Sequence, residues 1–276
     1  MLEIPEAITI ARQVTETLTG RVVQSVTAAA SPHKFAWYNG DPADYPARLL
    51  GASFLSAEDH GGMVQVNLNQ AYMLFSDGVN LRSLTAGETR PAKHQLLLEF
   101  EDGSALAASV QMYGGLICWS EGETYDNPYY LVALQKPSPL DEAFSEQYFN
   151  GILAGEGVQK LSVKAALATE QRIPGLGNGI LQDILWKAGL SPRCRVSTLS
   201  AAELDKLFIA VKETLAEMTR LGGRDTEKDL FGNPGGYPVV MTARNNGAPC
   251  PVCSAPIVKE AYMGGSVYYC PACQRT

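Results

Sequence analysis

Four of the six cysteines form two closely spaced pairs near the end of the chain, Cys250-Pro-Val-Cys253 and Cys270-Pro-Ala-Cys273. Pairs at this separation can place four thiolates tetrahedrally around one zinc ion, with a β-hairpin between them. Because thiolates then fill every coordination position, the spacing predicts a structural zinc site rather than a catalytic one. The cysteines alone leave open a ribbon that only supports the C-terminus or binds another protein.

A glycine-rich segment, Ile173-Pro-Gly-Leu-Gly-Asn-Gly179, directly precedes a helical pattern that begins near Ile180. Glycines let backbone amides approach a phosphate closely, and a helix N-terminus attracts negative charge. Asn178 can cap the helix or donate to a phosphate oxygen. The segment is typical either of an anion site or of an ordinary tight turn between helices. Nearby basic residues favour DNA, namely Lys160, Lys164, Arg172, Arg193 and Arg195.

The net charge of −7 argues against nonspecific binding to nucleic acid, because lysine and arginine supply most of that affinity. The charge is unevenly distributed, however. Residues 1–159 carry 8 basic and 19 acidic groups, a net of −11, whereas residues 160–276 carry 14 basic and 10 acidic groups, a net of +4. We therefore expect an anionic polymer to meet the C-terminal half.

Composition places the chain among ordinary globular proteins, with 46% hydrophobic residues. There is no apolar run of about 18 residues, and the first residues are acidic rather than basic, so we expect neither a membrane span nor a signal peptide. These features predict a cytoplasmic protein. Cys118 and Cys194 stand apart from the paired cysteines and are expected to be reduced structural residues.

The periodicity divides the chain into a strand-rich part and a helical part. Residues 4–18 have helical spacing, and strands are predicted at 63–68, 72–75, 95–100 and 104–112. Lys136-Pro-Ser-Pro139 has the composition of a linker. Helices follow, one ending at Gly189 and one starting at the capping box Ser200-x-x-Glu203.

Several motifs in this order resemble the formamidopyrimidine-DNA glycosylase and endonuclease VIII family. L-E-I-P-E-A-I-T at 2–9 lies beside the family's P-E-L-P-E-V-E-T, and Lys160 with Val163-Lys164 precedes P-G-L-G-N at 174–178. A-G-L-S-P at 188–192, Gly222-Gly223 and the cysteine pairs complete the pattern. The resemblance implies an α+β protein with an N-terminal β-sandwich (1–135), a helix-two-turn-helix domain (136–243) and a zinc ribbon (244–276).

The same resemblance implies a monomeric base-excision enzyme that binds lesion-containing double-stranded DNA between its domains. It requires one structural zinc ion and no nucleotide cofactor, and it associates with the nucleoid when bound to DNA. In the family, the damaged nucleotide is flipped out and an N-terminal proline attacks C1′ to form a Schiff base. The neighbouring glutamate transfers protons, and β,δ-elimination cleaves the strand. The matching positions here give Lys160, Arg172, Gly177, Asn178 and Tyr113 as DNA-binding residues.

The family's nucleophile is missing, because position 2 is Leu2. Glu3 and Glu6 remain at matching positions, so a carboxylate that activates water or protonates the sugar is still available. The sequence therefore predicts hydrolysis of the N-glycosidic bond with these two catalytic residues, and it makes lyase activity doubtful.

Other family side chains that reach DNA are also replaced. Gly62 stands where the family has a hairpin lysine, and Gly265 stands where it has an arginine at the tip of the ribbon. The residues that fill the void left by a flipped base become Asp77, Gln111 and Tyr113, of which Tyr113 can still wedge into a base stack.

Two further segments have alternative interpretations. Ser31-Pro-His-Lys-Phe-Ala-Trp-Tyr38 mixes aromatic and basic residues as a base-stacking platform does, but loop or core packing is the simpler interpretation. Residues 224–237 occupy the position of the family's mobile loop, and are predicted to be either a substrate lid or a solvated loop.

Three functions are consistent with these residues. The first is excision of an oxidised base. The second is noncatalytic binding of damaged or branched DNA, in which Glu3 has only a structural role. The third is a protein-interaction scaffold built on the ribbon.

Overall fold

The computed structural model describes residues 1–275 and contains an α+β fold built on a four-stranded sheet, a five-stranded sheet, a two-stranded hairpin and a set of helices. The strands are β1 (Val23–Ala28), β2 (Ala36–Trp37), β3 (Phe54–His60), β4 (Met63–Leu68), β5 (Ala71–Ser76), β6 (Val79–Leu84), β7 (Leu96–Phe100), β8 (Ala105–Val110), β9 (Gly114–Ser120), β10 (Val258–Tyr262) and β11 (Gly265–Tyr269). The helices are α1 (Ile4–Leu18), α2 (Tyr45–Leu49), α3 (Pro128–Gln135), α4 (Glu146–Ala154), α5 (Val163–Ala168), α6 (Asn178–Ala188) and α7 (Ala201–Arg220).

The N-terminal half is a β-sandwich, as predicted. One sheet has the order β1-β7-β8-β6 and is antiparallel throughout. The other has the order β2-β9-β5-β4-β3, in which only the short β2 runs parallel to its neighbour. Alternating apolar side chains from both sheets share one buried core with the inner face of α1, because this is how each sheet removes its apolar face from water.

The helical half has its own core around α6 and α7. The predicted turn signals are confirmed, since Gly189 adopts φ 73° at the end of α6 and Ser200 with Glu203 forms the capping box of α7. α6 starts at Asn178, two residues earlier than the periodicity predicts. None of the helices in residues 1–275 is long and apolar enough to cross a bilayer.

Each of the two cores contains one buried residue from the other half of the chain. Ile4, at the start of α1, is buried among the helical-core residues, whereas Leu230 is buried in the β-sandwich core. The backbone reinforces the second insertion, since the Ser83 amide donates to the Leu230 carbonyl at 2.9 Å. The domain division at 136 and 244 stays a prediction, and this exchange shows that the halves are not packed independently.

Backbone meets backbone where the β3–β4 turn touches the glycine-rich segment. A Cβ placed on Gly175 would lie 2.2 Å from the Gly62 nitrogen, and one on Gly61 would lie 2.9 Å from atoms of Pro174. Gly62 itself lies against the Leu2 carbonyl. Gly62, which is predicted to stand at the position of the family's hairpin lysine, is thus part of a close contact between the two halves.

Gly175→Ala tests this contact. Gly175 has φ 76°, so alanine introduces both backbone strain and overlap with Gly62, and we expect the free energy of unfolding to fall by about 2 kcal/mol or more. Urea denaturation measures the change. The matched control is Gly151→Ala in α4, where a new Cβ meets open space and helix propensity predicts a gain of about 0.5–1 kcal/mol. Equal midpoints for the two variants would contradict the contact.

Candidate active site

The N-terminus of α6 binds a carboxylate that belongs to the protein itself. Glu3 is 4% exposed, and its Oε1 and Oε2 accept hydrogen bonds from the amides of Gly179 and Ile180, each at 2.9 Å. Free amides and the helix dipole make this a favourable place for negative charge. The anion that the glycine-rich segment binds here is the protein's own Glu3, and binding of a DNA phosphate by this segment stays a prediction.

The glycines of this segment make room for that carboxylate. A Cβ on Gly177 would lie 2.5 Å from Cδ of Glu3, and a Cβ on Gly179 would lie 1.6 Å from Nη1 of Arg224. Side chains at either position would therefore displace charged groups from the site. Their close approach to Glu3 and Arg224 accounts for the glycine at both positions.

Arg224 joins Glu3 to Glu6. Its Nε and Nη2 donate to the two oxygens of Glu6 at 3.0 and 2.8 Å, its own amide donates to Glu6 at 3.0 Å, and Nη1 lies 3.3 Å from Glu3. Such a two-point interaction suits the planar guanidinium, which matches a carboxylate edge to edge. Arg224 is 3% exposed, so this is a buried ion cluster.

Burial and charge act in opposite directions in this cluster. Burial raises the pKa of Glu3 above its ordinary value, and the negative charge of Glu6 adds to the rise, although Arg224 and the two amides oppose it. Burial alone would lower the pKa of Arg224, but Glu3 and Glu6 outweigh it and raise that pKa. Arg224 therefore stays charged, while Glu3 is a weaker acid than an exposed glutamate.

The first two residues are fixed at the same place. The Met1 ammonium pairs with Glu227, and the Met1 carbonyl accepts from Nη2 of Arg224 at 3.1 Å. The Leu2 nitrogen is a peptide N–H that donates to the Asp77 carbonyl at 2.6 Å, and the Leu2 side chain is buried. The nitrogen at the family's nucleophile position is thus an engaged backbone donor.

A cleft of about 1020 Å³ opens beside these groups, between the sandwich and the helical half. Glu3, Arg224 and Glu227 line it, together with the glycine-rich segment. Two aromatic residues of the sandwich, Trp37 and Tyr113, also line it, with ring centroids 5.7 Å apart. A carboxylate thus lies at the wall of a cavity large enough for a nucleotide.

The predicted DNA-binding residues lie in different environments. Three of them line the cleft, namely Gly177, Asn178 and Tyr113. The side-chain Nδ2 of Asn178, however, already donates to the Ser266 carbonyl at 3.1 Å. Lys160 is exposed on a short 3₁₀ turn outside the cleft. Arg172 donates to the Ala165 carbonyl at 3.1 Å and pairs with Glu170, so its guanidinium is held locally.

The segment predicted as a lid or a solvated loop is packed against the rest of the protein at its start and near its middle. Arg224 and Leu230 are buried, and Gln13 of α1 donates to Asp229 at 3.0 Å. The Leu230 amide in turn donates to Gln13 at 2.9 Å. These contacts attach the segment to the sandwich at Leu230, whereas Thr226, Lys228 and Phe231 are exposed. Its role as a substrate lid stays a prediction.

Arg224 and Glu227 are functional residues that sequence reasoning missed. No local pattern distinguishes a buried arginine in a charged run such as Arg224-Asp-Thr-Glu-Lys-Asp229 from an exposed one. The available indication was the preceding Gly222-Gly223, since Gly223 has φ 97° and places the next residue against Glu6.

The four paired cysteines are brought together as predicted. Their sulfur atoms all lie within 4.8 Å of one another, with Cys250 and Cys273 at 3.8 Å and Cys253 and Cys270 at 3.3 Å. A tetrahedral site with metal–sulfur bonds of about 2.3 Å has sulfur–sulfur edges of roughly 3.8 Å. These four residues could therefore hold a metal ion, and the β10–β11 hairpin lies between them.

Comparison with known proteins gives consistent results across the chain. Residues 136–229 match the family model for the formamidopyrimidine-DNA glycosylase H2TH domain. The formamidopyrimidine-DNA glycosylase of Geobacillus kaustophilus is 28% identical over the full length of both chains, and that of Symbiobacterium thermophilum is 29% identical over 99% of this chain and 89% of its own.

Solved structures share the fold. Lactococcus lactis Fpg in complex with DNA containing an abasic site superposes with a TM-score of 0.83, at 21% identity, over 99% of this chain and 100% of that one. The MutM (Fpg) protein of Thermus thermophilus gives a TM-score of 0.81 at 24% identity, over 99% and 98%.

Arg224→Met tests the ion cluster. The substitution leaves Glu3 and Glu6 buried without a counter-charge, so we expect the free energy of unfolding at neutral pH to fall by about 3 kcal/mol. Without Arg224 the pKa of Glu3 rises further, and a carboxyl with a raised folded-state pKa loses its stabilising effect as pH increases. Arg224→Met should therefore lower the free energy of unfolding, relative to the wild type, by more at pH 8 than at pH 5.

The matched control for this variant is Arg12→Met. Arg12 is more than half exposed and pairs with Glu16 at 3.9 Å on the surface of α1, so its loss should change stability by less than about 0.5 kcal/mol. Denaturation of all three proteins at both pH values measures the effect. A destabilisation of Arg224→Met that is equal at pH 5 and pH 8 would contradict the charge assignment.

Proposed function

Because the chain belongs to the formamidopyrimidine-DNA glycosylase family, we propose that it is a DNA-repair glycosylase that hydrolyses the N-glycosidic bond of an oxidised base. The single observation that carries this proposal is the Glu3 carboxylate at the wall of the cleft, fixed by the N-terminus of α6 and by Arg224. Lesion-containing double-stranded DNA is the proposed partner, and the C-terminal half with its net charge of +4 is the half that meets it.

Glu3 is proposed to act on protons at the flipped nucleotide. Breaking the bond between base and sugar requires a proton for the departing base or the sugar, which the Glu3 carboxyl would donate; the carboxylate that remains would then accept the proton of the water that attacks C1′. Burial raises the pKa of Glu3, which increases its protonated fraction and suits the donor role. Glu6 binds Arg224 on the other side, so its contribution is to position Arg224 and, through it, Glu3.

Cleavage of the strand after base loss needs a nucleophilic amine in the family's mechanism. The nitrogen of Leu2 donates as a peptide to Asp77, and the Met1 ammonium is paired with Glu227, so both nitrogens are already engaged within the protein. We propose that hydrolysis of the glycosidic bond predominates at neutral pH and that lyase activity is weak.

A second candidate function is noncatalytic binding of damaged or branched DNA. It is favoured by two observations: both oxygens of Glu3 already accept hydrogen bonds, and Arg224 forms an ion pair with the carboxylate. On this view Glu3 only fixes the start of α1 to α6.

Incubation with duplexes carrying oxidised purines, oxidised pyrimidines or abasic sites separates the two functions. We expect base release from at least one oxidised duplex, a loss of about 100-fold or more in Glu3→Gln, and little adduct trapped by borohydride at neutral pH. Arg12→Met is the active control, because this residue lies on the exposed face of α1. Tight binding to every duplex without base release from any would support the noncatalytic function.

The four-cysteine site is proposed to hold one structural zinc ion. Four thiolates at these distances suit zinc, and all coordination positions are filled by protein. The hairpin it supports is attached to α6, since Asn178 donates to Ser266 and the side chain of Gln182 accepts from the Tyr268 amide. Zinc would therefore maintain the wall of the cleft through α6, without taking part in the reaction.

Elemental analysis of the purified protein checks this proposal. We expect about one zinc per chain in the wild type and a large loss of metal in Cys253→Ser, together with a lower melting temperature. Cys194→Ala is the control, because Cys194 is a buried free thiol outside the cluster and its loss should leave the zinc content unchanged. A wild-type protein that contains no metal and melts like Cys253→Ser would overturn it.

A further inference from the structure

The aromatic segment at 31–38 contributes one exposed ring to the cleft. Trp37 belongs to β2, whose two residues pair with Gly114 and Gly115 at the start of β9. This pairing brings the indole beside Tyr113, which directly precedes β9, with ring centroids 5.7 Å apart and planes inclined by 37°. Trp37 is nevertheless 49% exposed, so much of the indole remains accessible to solvent.

Other large aromatic residues of this half are placed differently. Tyr129 of α3 is 60% exposed and also lines the cleft, but no ring contact joins it to Trp37 or Tyr113 within residues 1–275. Trp119 is 5% exposed and stacks between Tyr72 and Tyr125 on the outer face of its sheet, so it has a packing role. Phe35 is 48% exposed, nearly the same as Trp37, but it does not line the cleft. The position of Trp37, rather than its exposure, distinguishes it from Phe35.

The charges around the cleft disfavour phosphate near these rings. The cationic groups that line it are Arg224 and the Met1 ammonium, and both are already paired with carboxylates. Asp77, Glu3 and Glu227 add negative charge to the same lining. A phosphate would be repelled here, whereas an uncharged nucleobase can stack on an aromatic face.

We propose that Trp37, held beside Tyr113, completes a stacking platform for an unpaired nucleobase and is thereby a specificity-determining residue for DNA with an unstacked nucleotide. Platform here means these two side chains. The inference rests on the proposed function only in taking DNA as the ligand, and it does not depend on catalysis. It deepens that function by adding Trp37, which lies outside the motifs that carry the family resemblance, as a residue that discriminates between duplexes with and without an unpaired base.

The platform predicts how affinity depends on Trp37. Fluorescence anisotropy compares a paired duplex with the same duplex carrying a one-nucleotide bulge. We expect the wild type to bind the bulged duplex at least several-fold more tightly. Trp37→Leu should lose about tenfold in affinity for the bulged duplex, and less than twofold for the paired one, because stacking on an aromatic ring contributes roughly 5- to 150-fold per base.

Two variants control this experiment. Phe35→Leu removes an equally exposed aromatic ring from the same segment and should bind both duplexes like the wild type. Trp37→Phe retains an aromatic face and should recover most of the lost affinity. A 2-aminopurine placed as the bulged base reports stacking directly, since its fluorescence should be quenched by the wild type and not by Trp37→Leu.

The outcomes separate this inference from the proposed function. Equal affinity of the wild type for bulged and paired duplexes, or an equal loss in Phe35→Leu and Trp37→Leu, would overturn the platform while leaving excision untouched. No binding to any duplex by the folded wild-type protein would instead overturn DNA as the ligand. Circular dichroism of each variant confirms that the compared proteins are folded.

Discussion

The ion cluster of Arg224 with Glu3 and Glu6 is the interaction on which the rest of the structure depends. Glu3 and Glu6 lie at the start of α1, whereas Arg224 follows α7, more than 200 residues later. Removing any of the three leaves buried charge without compensation, which costs far more than an exposed pair. The cluster therefore fixes three things together: the path of the N-terminus, the start of α6, and the segment that crosses onto the sandwich.

This interdependence explains why the glycine-rich segment has its composition. Gly177 and Gly179 are small because Glu3 and Arg224 occupy the space that their side chains would take. The amides at the start of α6 are then satisfied by Glu3 rather than by water or by a ligand. A motif whose sequence is typical of a phosphate-binding turn thus binds the Glu3 carboxylate of the same chain.

Much of the fold could be predicted from the sequence, because it depends on local periodicity and on turn residues. The helix at 4–18, the strands around 63–112, the stop at Gly189 and the capping box at Ser200 all follow from spacing. The cysteine cluster also follows, since its ligands lie in two short motifs. Arg224, Glu227 and the Trp37–Tyr113 pair do not, because each depends on a contact between residues far apart in the chain.

The contact between Gly61-Gly62 and Pro174-Gly175 has a mechanical consequence. Where backbone lies on backbone, no side-chain rotation can absorb a change in the distance between the two halves, so a change in the width of the cleft at this point requires the backbone itself to move. A duplex that enters such a cleft therefore has to bend or unstack in order to fit. DNA deforms most readily where base stacking is weak or broken. A cleft that resists widening therefore favours DNA that is easily deformed over DNA that is not.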